Sequence, residues 1–84
     1  MLYKIKEQID FLIKNKYNVE INNNFESILL YHKVIMESNK ILNYYWFEFE
    51  EKNQSKVYEN INDLFKNIEY FFSINNEIKI IISK

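Results

Sequence analysis

The chain has 84 residues, a formal net charge of −1 and no glycine, proline or cysteine. A chain of this length makes one domain, residues 1–84, which buries roughly 60% of its unfolded surface and holds on the order of 4 to 12 kcal/mol of net stability. Without cysteine there is no disulfide framework, thiol nucleophile or thiolate metal site; without glycine there is no P-loop or dinucleotide-type phosphate cradle; and the near-neutral balance gives no strong field toward nucleic acid or an anionic membrane.

Alanine, arginine and threonine are also missing, while Asn, Ile, Lys, Tyr and Phe abound. These residues have AT-rich codons, so the composition fits an AT-rich bacterium, phage or mobile element. The N-terminus MLYKIKEQID carries charges where a signal peptide would be apolar, and no apolar run approaches the ~20 residues of a membrane span. A cytoplasmic setting is expected.

Leu2, Ile5, Ile9, Leu12 and Ile13 recur at helical spacing, which predicts an amphipathic helix over about residues 2–15, with Phe11 off the stripe. Tyr17, Val19 and Ile21 then alternate with polar residues as in a short half-buried strand, ended by Asn22-Asn23-Asn24. In a chain without glycine, Asn is best suited to the left-handed backbone of tight turns, so Asn39, Asn53 and Asn75-Asn76 mark further breaks.

Residues 25–36 satisfy two periods. Phe25, Ile28, Leu29, His32, Ile35 and Met36 fit a helix, whereas Ile28, Leu30, His32, Val34 and Met36 fit a strand. The strand is favoured because Glu37-Ser38-Asn39-Lys40 looks like a hairpin connection into the aromatic segment Ile41 to Glu51. A helix over residues 56–72 follows, capped by Ser55 and carrying Val57, Tyr58, Ile61, Leu64, Phe65, Ile68, Phe71 and Phe72 on one face. Ile78, Ile80 and Ile82 alternate with Lys79, Ile81 and Ser83 in a closing strand. The order α-β-β-β-α-β predicts a two-layer α+β domain: an antiparallel sheet of three to four strands with two amphipathic helices on one face.

In the segment Tyr44-Tyr45-Trp46-Phe47-Glu48-Phe49-Glu50-Glu51, strand alternation turns Tyr45, Phe47 and Phe49 toward the helices and leaves Tyr44, Trp46, Glu48 and Glu50 outward. Tyr and Trp are common binding anchors, and flanking carboxylates steer toward Lys- or Arg-rich partners. The rival reading is that Tyr44 and Trp46 merely cover the sheet's second face or pack under the C-terminal segment. Glu48, Glu50 and Glu51, with Glu59 and Asp63 one helical turn apart, are further candidates for the contact. Paired carboxylates can also do acid-base work or hold a hard cation, but solvated surface acids are the simpler reading, and no EF-hand spacing is present. His32 has no cysteine or adjacent acid to work with and reads as a structural or surface imidazole. No catalytic residue, metal site or cofactor is expected. Direct nucleic-acid binding by base stacking is disfavoured by the acids and by the scattered lysines.

The passage Ile13 to Ile21, the following Ser27-Ile28-Leu29-Leu30, the aromatic strand running into acids and the helical Val57 to Asn67 together resemble the small phage-encoded anti-CRISPR inhibitors of type II-A Cas9. That resemblance implies a helix, three antiparallel strands and a further helical part, with strand and loop acids imitating DNA phosphates at the site that reads the protospacer-adjacent motif. Glu48, Glu50 and Glu51 match the acidic strand end, with Glu59 and Asp63 as neighbours. The chain departs from the family in its near-neutral charge and in ending on a strand rather than a third helix. The function expected is a non-enzymatic phage or mobile-element protein that binds and occludes a host protein, such as a CRISPR-Cas effector, in the host cytoplasm. The alternatives are a self-associating homodimeric domain, which would bury the open sheet face, and an immunity or antitoxin protein.

Overall fold

A short 3-10 turn, Leu2–Ile5, leads into helix α1, Lys6–Lys14, in a computed structural model that describes residues 2–23, 26–50, 53–72 and 77–84. Ile9 and Ile13 of α1 are buried, and Phe11 is 65% exposed, as its position off the stripe requires. The helix ends in a Schellman arrangement: Lys16 N–H donates to the Ile13 carbonyl at 3.2 Å and Tyr17 N–H to that of Leu12 at 3.0 Å. The left-handed residue there is Lys16 (φ 67°), a place other chains give to glycine, while Asn15 stands one position earlier and holds the Phe11 carbonyl with its side-chain amide at 2.7 Å.

Strands β1 (Asn18–Asn22), β2 (Ser27–Glu37), β3 (Lys40–Phe49) and β4 (Lys79–Ser83) form one antiparallel sheet in the order β3-β2-β1-β4. The ambiguous segment is thus a strand, with Ile28 and Leu30 buried; Phe25 lies outside the described residues, as do Asn24 and Asn75-Asn76. Ser38 (φ 48°) and Asn39 (φ 66°) make the two-residue connection between β2 and β3, and positive φ at both is the type I′ geometry whose twist suits a hairpin. That turn sets Glu37 opposite Lys40 and, by simple counting, Tyr31 opposite Trp46 and Ile28 opposite Phe49.

Both helices pack on one face of the sheet. Ile9 and Ile13 from α1 and Leu64, Phe65 and Ile68 from α2 (Ile61–Phe71) close over Val19, Ile21, Ile28, Leu30, Tyr45 and Phe47, with Phe49 against their margin. The fold is therefore the expected two-layer α+β domain in the order α-β-β-β-α-β.

One boundary differs from expectation. Helix α2 starts at Ile61 rather than residue 56, and its cap is Asn60, whose side-chain oxygen accepts the Asn62 N–H at 2.7 Å. Residues 53–58 instead run as a strap along the outer edge of β3. Tyr45 and Tyr58 exchange both backbone bonds (2.8 and 2.7 Å), the Phe49 N–H donates to Asn53 O and the Ser55 N–H to Phe47 O, each at 2.8 Å. The Ser55 hydroxyl accepts the Phe47 N–H at 3.0 Å and so serves the sheet, not a helix. The physical reason is that buried backbone groups on β3 need partners, and satisfying them outweighs extending the helix. Val57, counted into the apolar helix face, is 48% exposed as a result.

Candidate functional site

The face of the sheet opposite the helices carries the residues that the alternation of the aromatic segment turns outward. Tyr44, Trp46 and Glu48 of β3 are half-buried there, and Glu50, just past the strand's end, is exposed. Trp46 stacks on Tyr31 of β2, with ring centroids 5.5 Å apart and planes within 9°. Below this stack, Glu48 lies opposite Leu29, which in turn lies opposite Glu20 of β1, so Leu29 stands between two carboxylate-bearing strands.

Two of these carboxylates are held by the residue two positions along their own strand, which strand geometry places on the same face. The Asn22 amide donates to Glu20 Oε2 at 2.9 Å, and the Trp46 indole N–H makes a long bond of 3.5 Å to Glu48 Oε2. Glu20, Glu48 and Glu50 line a depression of about 200 Å³ together with Leu29 and Tyr31. A stacked aromatic pair with oriented carboxylates beside it suits a guanidinium or ammonium group, which gains both cation–π attraction and charge-assisted hydrogen bonds.

The remaining sequence candidates are not gathered here. Glu51 lies outside the described residues. Glu59 precedes α2 rather than sharing a turn with Asp63, because the helix begins at Ile61, and both are exposed. Asp63 belongs to the helix layer and acts locally: its carbonyl accepts the Asn67 amide at 3.0 Å, and its charge adds to burial in raising the Tyr58 hydroxyl above the ordinary tyrosine value. Tyr31, Leu29 and Glu20 are not among the sequence candidates, although Tyr31 follows from Trp46 once the hairpin turn fixes the register.

His32 sits on the helix-side face, where Nε2 is 2.8 Å from Asn43 Oδ1 and the ring lies tilted over Tyr45 at 5.0 Å. Beside it, burial raises the Tyr45 hydroxyl against the opposing pull of Lys14. Lys14 bonds Asp10 at 3.1 Å, and although partial burial would lower its ammonium, that bond and Tyr45 leave it raised. Among the described residues no group of His, Asp and Glu side chains is placed to hold a metal ion, and no helix is long and apolar enough to cross a membrane.

No protein-family model, curated protein or solved structure matches this chain.

Proposed function

We propose that this protein is a non-enzymatic binding module that covers a Lys- or Arg-bearing functional surface of another protein with the outer face of its sheet. The observation that carries the reading is the Tyr31–Trp46 stack flanked by Glu20 and Glu48, on a sheet face that neither helix covers. Aromatic area supplies affinity at low entropic cost, and pre-held carboxylates add orientation and steer encounter. A basic surface that reads nucleic acid offers the matching chemistry, since acids held at a strand end can take the place of phosphates. On this reading the partner is a host effector such as a CRISPR-Cas nuclease, and the protein comes from a phage or mobile element and acts in the host cytoplasm.

The test is a titration of the purified protein against a panel of type II CRISPR effectors, following both complex formation and cleavage of target DNA. Wild type should bind and inhibit at least one of them. Trp46→Ala combined with Glu48→Lys should abolish both effects while the thermal transition stays cooperative. Equal affinity of that variant, or no effector bound, counts against the proposal.

A further inference from the structure

The sheet has a second unpartnered feature, separate from its outer face. β1 pairs with β2 only as far as Leu30, while β2 and β3 continue together to Glu37 and Lys40. The result is a two-stranded arm projecting from the body of a molecule whose extents are 43 × 25 × 24 Å. The arm exposes apolar side chains on both faces: Val34, Met36 and Ile41 on the helix side are 49%, 76% and 65% exposed, and Ile35, between Lys33 and Glu37 on the other, is 37% exposed. Among the described residues, β2 from Tyr31 to Glu37 has a neighbour on one side only.

The direction of the backbone groups on that free edge follows from the ladder. Tyr45, Phe47 and Phe49 send theirs outward to the strap, so the even-numbered residues of β3 face β2. Their partners, Lys33, Ile35 and Glu37, therefore face β3, and Val34 and Met36 present N–H and C=O to the open edge. Exposed edge groups on a regular strand are a template for another strand.

We propose that two copies of this chain pair antiparallel along the free edges of their β2 arms, about a twofold axis at Ile35. In that register Val34 meets Met36 of the other copy as a hydrogen-bonded pair on each side of the axis, which uses the backbone groups left free. Ile35 faces its own counterpart. Lys33 then falls opposite Glu37 of the other copy, and Glu37 opposite Lys33, so the sequence Lys33-Val34-Ile35-Met36-Glu37 is complementary in charge to its own reverse.

The other open edges lack this property. Pairing β4 with itself about Ile81 sets Lys79 opposite Ser83, and pairing the uncovered end of β3 about Leu42 sets Lys40 opposite Tyr44. The lengths also agree, because the proposed axis brings the turn at Ser38 opposite His32, two residues short of Leu30, where β1 begins to occupy the edge. An axis normal to the sheet keeps both outer faces on the same side. Tyr31 lies four residues from Ile35 in each copy, so the two aromatic stacks stand about 27 Å apart along the strands at ~3.4 Å per residue. The dimer thus leaves the outer face open rather than burying it.

Sedimentation velocity from micromolar to millimolar concentration tests the proposal, with circular dichroism confirming the fold of each variant. Wild type should move from monomer to dimer. Lys33→Glu and Glu37→Lys should each lower the association constant roughly tenfold or more, because like charges then oppose one another on both sides of the axis. An equimolar mixture of the two variants should dimerise again, since one copy then carries a carboxylate at both positions and the other an ammonium at both, and opposite charges meet in each pair. Val34→Pro removes an N–H that points away from β3 and should also leave a monomer. A wild type that stays monomeric, variants that associate as well as wild type, or a mixture that fails to recover would each overturn it.

Discussion

Tyr31 and Trp46 face each other across the β2–β3 ladder and stack within 9° of parallel, with Trp46 also reaching the Glu48 carboxylate. The pair joins two strands at the centre of the open face and places the chain's single tryptophan there. Because stacked aromatic pairs are worth about 0.5–1.5 kcal/mol beyond their burial, a double-mutant cycle of Tyr31→Ala and Trp46→Ala should give a coupling energy in that range. Urea unfolding of the four proteins measures it, and a coupling near zero would mean that the rings touch without supporting each other.

Large side chains fill the core beneath that face. Phe47 is 1% exposed and lies between the two helices and the neighbouring strands. Phe47→Ala should cost about 3–5 kcal/mol, against a total of roughly 4–12 kcal/mol for a chain of this size. Thermal unfolding should show a transition lowered by tens of degrees or no transition at all. Tyr44→Ala, on the half-exposed outer face, should change the midpoint far less.

Asn60, not Ser55, caps α2, and the two make separate predictions. Asn60→Ala should cost about 1 kcal/mol and weaken amide-exchange protection in the first turn of α2. Ser55→Ala should instead loosen the strap, lowering protection at the Phe47 amide that its hydroxyl accepts, with α2 unaffected. Amide exchange read residue by residue separates the two outcomes.

Burial raises the hydroxyls of Tyr45 and Tyr58 above the usual tyrosine value, and Lys14 is raised by its bond to Asp10 and by Tyr45 after partial burial has pulled the other way. A group whose folded value is raised keeps its proton longer in the native than in the unfolded state. Its contribution is whole below the unfolded value of about 10 and is lost as pH climbs through the folded value. Stability should therefore hold steady through neutral pH and fall above about pH 10. Tyr58→Phe should flatten part of that fall, since it removes a hydroxyl whose ionisation the fold opposes; denaturant midpoints taken across alkaline pH measure the slope.

Ser38 and Asn39 hold positive φ without the freedom of glycine. Replacing them with the sequence Asn-Gly should stabilise the hairpin by about 1 kcal/mol, because each left-handed residue with a β-carbon carries a steric cost of that order. Nuclear magnetic resonance should show stronger cross-strand contacts at Ile35 and Leu42 and an unchanged register.

The sequence makes this hairpin legible because two independent signals agree. Alternation over Ile28 to Met36 is ambiguous alone, but a Ser-Asn connection flanked by Glu37 and Lys40 is difficult to place in a helix, and it fixes every partner up to Phe49. Which residues of β3 face the core is legible in the same way, from the period of two. Glu20 is not legible: its position beside Leu29 depends on the register of β1 against β2, which no local pattern sets. The strap is hidden for a different reason. Val57 and Tyr58 extend the helical stripe of α2 by chance of spacing, while the requirement that overrides it is the hydrogen-bonding need of a β3 edge that no local pattern records.

The strap has one more consequence, for how far a sheet of this kind can grow. By occupying the outward groups of Tyr45, Phe47 and Phe49 it leaves, among the described residues, Ile41 and Asn43 of β3 to recruit another strand on that side, too short a stretch to seed a fibril. A self-complementary edge on β2 is saturated by a single copy, because an isologous contact closes on itself. A chain rich in isoleucine, tyrosine and phenylalanine, the composition most prone to open-ended stacking, is in this way given a stopping point along β3 and, on the proposed pairing, a counting limit along the β2 arm.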